Sequence, residues 1–85
     1  MSSKTVAVGS SIGLHARPAG VIAEAVADSG VAVTLAVADG EPVDAGSALL
    51  IMTLGATQGT EVIIETADEA TLEKIAGLVA ADLDA

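Results

Sequence analysis

His15 is the only histidine of this 85-residue chain, and Arg17, two residues on, is the only basic side chain between Lys4 and Lys74. Both lie in the stretch SIGLHARPAG, residues 11–20, with Pro18 directly after the arginine. An imidazole nitrogen is a competent nucleophile near neutral pH. A guanidinium grips phosphate oxygens through two parallel hydrogen bonds. Pro18 suits the first turn of a helix, where its missing N–H costs nothing. A helix that starts here leaves unpaired backbone N–H groups beside the imidazole, and these, with the positive helix end, form an anion site. A histidine held over an anion site can accept a phosphoryl group and later release it.

The plainer reading makes His15 a loop residue at a helix start and Arg17 a solubilising charge. Residue type and spacing leave both readings open. Other chemistries have less behind them. Ser-His-Asp hydrolysis needs an orienting carboxylate and an oxyanion pocket, and so short a chain leaves little room for a cleft. One histidine with scattered carboxylates is a weak metal set.

Composition narrows the choice further. The chain is long enough for one domain, residues 1–85, near the lower limit of what an apolar core alone holds together. It has no cysteine, so disulfides and cysteine-based zinc or redox sites are excluded. The core must be aliphatic, because 52% of residues are apolar and none is aromatic. A net charge of −9 with three Lys and Arg in total argues against nucleic acid and anionic lipid surfaces. The apolar run ALLIMTL falls far short of the ~20 residues a bilayer span requires. No signal-peptide core appears near the N-terminus. The expectation is a soluble, cytoplasmic monomer.

These features imply the following elements. KTVAV reads as a first strand, and Val21, Ile22, Ala25 and Val26 recur at helical spacing up to a stop at Ser29-Gly30. VAVTLAV reads as a strand buried on both faces or nearly so. Asp39-Gly40 predicts a tight turn. In EPVD, Pro42 cannot donate to a ladder, which predicts a sheet edge. Ser47 as N-cap and Gly55 as stop frame a short helix, and TEVIIET is a strand. Thr66 and Glu69 match a capping box, followed by an apolar face of Leu72, Ile75, Ala76, Val79 and Leu83. The order βαββαβα suits an α+β arrangement of one sheet with helices on one face.

GLHARPA, residues 13–19, resembles the active-site signature of the HPr family, the histidine-containing phosphocarriers of the bacterial phosphoenolpyruvate-dependent sugar phosphotransferase system. The resemblance extends over essentially the whole chain, including the Ser47 segment and LGATQGTEV before the fourth strand. It implies an open-faced β-sandwich with a four-stranded antiparallel sheet, order 1-4-2-3, and three helices on one face. It implies a carrier rather than an enzyme, with no cofactor and no metal. His15 would be phosphorylated on Nδ1 by enzyme I and would pass the group to enzyme IIA domains of sugar permeases. Arg17, with the backbone N–H groups of Ala16 and Arg17, would hold the phosphate.

Ser47 matches a serine that an ATP-dependent kinase phosphorylates in some members, although its capping role already explains it. The basic residue that often precedes that serine is missing here, and Leu49 replaces the usual methionine two positions on. Leu49 and Met52 match the family's partner-docking patch, and core packing is their alternative. Members from enteric bacteria carry lysines on the first helix where this chain has Glu24 and Asp28. Docking must then lean on the apolar patch and Arg17, or on partners with matching basic residues. The same motif would serve a carrier of a dedicated relay, nitrogen-related or of a dihydroxyacetone kinase system. It would also fit a regulatory binding module that transfers nothing.

Overall fold

The computed structural model describes residues 2–82. Its clearest strand, Glu61–Thr66, alternates exposed and buried positions, so that Val62, Ile64 and Thr66 face inward. In order along the chain the elements are β1 (Ser2–Ala7), α1 (Ala16–Ser29), β2 (Val33–Val37), β3 (Val43–Asp44), α2 (Ala48–Met52), β4 (Glu61–Thr66) and α3 (Glu69–Ala80). β4 pairs antiparallel with β1 on one side and β2 on the other, and β3 closes the sheet beyond β2. The order β1-β4-β2-β3 is the one the resemblance implies.

One face of the sheet meets the helices. Ile22 and Val26 of α1, Ile51 of α2, and Leu72, Ile75 and Val79 of α3 pack over Val33, Leu35, Val62 and Ile64. At ~1.5–3 kcal/mol per fully buried aliphatic side chain, this layer is the main favourable term for folding. The opposite face carries Glu61, Ile63 and Glu65 outward and stays open. Among the described residues, no helix is long and apolar enough to cross a membrane.

Several expectations shift by a few residues. β1 starts before its predicted stretch, at Ser2, and ends at Ala7, whereas β2 lies within its own and is buried or half-buried at every position. β3 shrinks to two residues after Pro42, as a strand deprived of a donor should. It forms the sheet edge. The turn at 37–40 uses Asp39, not Gly40, in the left-handed region, φ 63°. Gly40 is needed for closeness instead. Its N–H bonds the Val37 carbonyl, and an added Cβ would lie 2.9 Å from Val37 Cγ2.

The capping box at Thr66 is not formed. Thr66 is the buried last residue of β4, and its hydroxyl donates to the Ala32 carbonyl at 2.8 Å. Asp68 is the N-cap of α3, and its carboxylate accepts from the Thr71 N–H at 3.2 Å and from the Thr71 hydroxyl. As part of β4, the Thr66 hydroxyl turns to the Ala32 carbonyl and accepts the Asp68 N–H at 3.5 Å, and the carboxylate two residues later takes the capping position. Glu69, freed from the box, takes a bond from Ser2 Oγ at 3.3 Å. Of the predicted α3 face, Leu72, Ile75, Ala76 and Val79 are buried; Leu83 lies outside the described residues.

Replacing Asp68 by alanine should therefore lower folding stability by ~1 kcal/mol in urea denaturation. Glu69→Ala should change it by less than ~0.5 kcal/mol. The reverse ranking would restore the box at Thr66.

Candidate phosphoryl site

His15 is the N-cap of α1, with extended backbone angles, φ −92° and ψ −165°. Its side chain makes no capping bond, so the imidazole is not used to stabilise the helix. Its carbonyl accepts the Ala19 N–H at 2.9 Å and starts the helical ladder. The residues around it alternate in blocks: Leu14 is buried, His15, Ala16 and Arg17 are exposed, and Pro18 and Ala19 are buried. The buried residues on both sides hold the three exposed ones in place.

The start of α1 has the properties an anion needs. The N–H groups of Ala16 and Arg17 have no acceptor within the helix, and Pro18 has no N–H to satisfy. No acidic residue occupies the first turn, so nothing internal offsets the positive helix end. Arg17 has no ion-pair partner among the described residues. One cationic side chain and two amides thus lie within two residues of an unengaged imidazole at the surface.

The preceding loop fixes this geometry. The Leu14 N–H donates to the Ala56 carbonyl at 3.0 Å, and the Gly13 N–H to the Ser10 carbonyl at 2.9 Å. Further back, the Gly9 N–H reaches the Val79 carbonyl at the end of α3 at 3.0 Å. The Val8 and Gly59 N–H groups bond the Thr60 and Val8 carbonyls. Gln58 Nε2 adds a bond to the Gly9 carbonyl at 3.3 Å. Gly13 sits at φ +77°, where a Cβ would come within 2.3 Å of the Ala56 oxygen. A side chain there would push away the loop that anchors Leu14.

Ser47 caps α2 as expected, its hydroxyl accepting from the Leu50 N–H at 3.2 Å. Leu49 is 69% exposed, whereas Met52 is half-buried against the core. The two predicted docking residues therefore differ in environment. Two further exposed apolar residues were not singled out in the sequence: Ile12, 58% exposed in the loop before His15, and Leu50, 39% exposed on α2. Ile12 has no periodic neighbour to mark it. Leu50 lies inside an unbroken apolar run, where spacing alone does not tell the outer face from the inner.

Residues 2–81 match the family model described as "PTS HPr component phosphorylation site". The phosphocarrier protein HPr of Streptomyces coelicolor is 45% identical, the match covering 99% of this chain and 94% of that one. Among solved structures, the crystal structure of a phosphocarrier protein HPr from Bacillus anthracis superposes with a TM-score of 0.84 at 31% identity, over 92% of this chain and 95% of that one. An HPr from Thermoanaerobacter tengcongensis gives the same TM-score at 27% identity, over 93% and 91% of the two chains.

Gly13→Ala should cost more than ~1 kcal/mol, because it adds a left-handed penalty to a backbone clash. Gly20→Ala is the contrasting control. Gly20 lies inside α1 with nothing within 4 Å of the added Cβ, so the change should stabilise by ~0.5–1 kcal/mol. Urea denaturation of both variants checks the pair.

Proposed function

The chain belongs to the HPr family of the phosphotransferase system, and from this we propose that His15 accepts a phosphoryl group from enzyme I and passes it to enzyme IIA domains of sugar permeases. The observation that carries this reading is an unengaged, exposed imidazole beside two free amides and an unpaired guanidinium at one helix start. In the step, the His15 Nδ1 lone pair forms a bond to phosphorus as the bond from phosphorus to the donor breaks. The three peripheral oxygens carry the charge through the transition state. Donors aimed at them are the main catalytic resource in such transfers.

Arg17 and the amides of Ala16 and Arg17 are the donors in this scheme. The two amides are fixed by the helix start before a phosphate arrives, so they reorganise little during transfer. Donation onward runs the same bonds in reverse, with the acceptor replacing the donor. No cofactor or metal enters the step. Exposure of His15 supports a carrier role, since two different proteins must bring their own reacting groups to it. The enzymes that use the carrier supply the clefts. The relay of which it is part operates in the cytoplasm.

Ser47 caps α2 and Leu49 lies on it, and α2 packs against α1. We place Leu49 and the exposed edge of Met52 in the partner footprint. A kinase that phosphorylates Ser47 would put a charge of about −1.5 to −2 beside them. Such a charge complements the start of a helix and hinders a partner that must desolvate it. Regulation would therefore act on docking and leave folding intact.

Phosphoenolpyruvate with cognate enzyme I should add one phosphoryl mass, labile to acid and stable to base. His15→Ala should abolish it, and label persisting in that variant would sink the assignment. Arg17→Ala should fold normally and accept phosphate on the order of 10²-fold more slowly; wild-type rates would remove Arg17 from the site. Ser47→Asp should keep its melting temperature within ~4 °C, since aspartate caps as well as serine. It should bind enzyme I severalfold more weakly in calorimetry, and unchanged binding would place Ser47 outside the footprint.

A further inference from the structure

Among the described residues, the large exposed apolar side chains are Ile12, Val21, Leu49, Leu50 and Ile63. The first four lie in the loop before His15, on α1 or on α2. Ile63, 38% exposed, is the one on the open side of the sheet. Its cross-strand neighbours there are Thr5 of β1 and Ala36 of β2, both too short to cover it. Glu61 and Glu65 flank it on β4, two residues away on either side, and both are exposed. Asp44 of β3 joins the same side, because Thr34 pairs with Glu65 on one flank and with Asp44 on the other.

No cation answers these three carboxylates. None of them has an ion-pair partner among the described residues. Lys4 points to the helix side of the sheet, where it pairs with Glu73 at 2.9 Å, and Arg17 and Lys74 belong to α1 and α3. A sheet face left to water needs no apolar side chain. An apolar centre inside a charged rim is instead the anatomy of a protein interface, and here the rim has one sign.

We propose that this face docks an amphipathic helix of a basic partner protein, with Lys or Arg four residues before and four residues after an apolar residue. Alternate residues of a strand repeat every ~6.6 Å on one face, and residues four apart on a helix repeat every ~6 Å. A helix laid along β4 therefore sets its apolar residue on Ile63 and its two cations on Glu61 and Glu65. Asp44, about 10 Å to the side of Glu65 across two strand spacings, attracts a further cation there. A second copy of this chain does not fit, because each carries a net charge of −9. The docked helix lies on the side of the sheet away from α1 and leaves His15 open. Its owner holds the carrier while transfer proceeds and exchanges no phosphate with it. Only this last consequence rests on the phosphocarrier reading.

The probe is an alanine-based helical peptide of ~18 residues carrying Lys, Leu and Lys at spacings of four, titrated into the isotope-labelled full chain at ~0.05 M salt. Backbone amide shifts should move in β1, β4 and β2, and the start of α1 should stay unperturbed. A peptide of the same composition with its lysines moved to the opposite helix face should bind about tenfold more weakly. Glu61→Gln, Glu65→Gln should weaken the first peptide by about tenfold, and the loss should shrink at ~0.3 M salt. Ile63→Thr should weaken it severalfold. All three positions are exposed, and unchanged melting temperatures confirm that the variants fold. Enzyme I with phosphoenolpyruvate should phosphorylate the peptide-bound chain within about twofold of the free rate, since the occupied face is remote from the transition state. Shifts centred on α1 or α2, equal binding of the rearranged peptide, or wild-type binding by the Glu61→Gln, Glu65→Gln variant would each overturn the docking proposal and leave the carrier reading intact. A wild-type chain that enzyme I does not phosphorylate would overturn the carrier reading and the holding role, but not the docking.

Discussion

The hydrogen bond from the Leu14 N–H to the Ala56 carbonyl is the constraint on which the site depends. It joins the loop before α1 to the loop before β4, two segments far apart in sequence. With Leu14 buried below and Pro18 and Ala19 buried beyond, the chain between them has little freedom left. His15 must then stand at the helix start with its side chain outside. The left-handed Gly13 allows the two loops to touch. The candidate histidine is thus positioned by its neighbours, and its own side chain makes no capping bond.

That arrangement is compatible with a core of modest content. No aromatic residue contributes, and the inner layer is built from Ile, Leu, Val and Ala. Small residues let α1 sit close to the other two helices: its Ala19 is fully buried, and Ala23 nearly so. A closely packed layer transmits position well, because interiors pack like crystals and yield little. The price is a thin hydrophobic margin, which makes each anchoring contact at the loop count for more. The carrier needs rigidity at one turn, and the close aliphatic layer supplies it there.

Much of this was legible in the residues. Helical spacing located α1 and put Ile22 and Val26 on its buried face, but it also assigned Val21, which is exposed, and left out Ala19 and Ala23; the alternation of TEVIIET located β4. Pro42 marked the edge of the sheet. The pairing of His15 with Arg17 marked the candidate site. What stayed hidden depends on partners distant in sequence. Thr66 reads as a cap until the Ala32 carbonyl is seen to occupy its hydroxyl. Asp39-Gly40 reads as a turn, but which residue takes the positive φ depends on how closely the chain approaches Val37. The role of the loop before β4 was invisible for the same reason: its key group is a backbone carbonyl, and any residue type has one. Ile12 and Leu50 required the surface itself, since exposure of an apolar side chain is a property of the fold.

An anion site on a chain of net charge −9 looks contradictory until distance is considered. At physiological salt, exposed charges are screened over ~8 Å. In the proposed transfer the amides of Ala16 and Arg17 and the Arg17 guanidinium would touch a phosphoryl oxygen within hydrogen-bond range, where screening ions cannot enter. Glu24 and Asp28 follow His15 by about 13 and about 20 Å along α1 at ~1.5 Å per residue, roughly one and a half to two and a half screening lengths, and would oppose the phosphate only weakly. Short-range donors would thus grip the transferred group with little sensitivity to salt, so the acidity of the rest of the chain is compatible with an anion site at the start of α1.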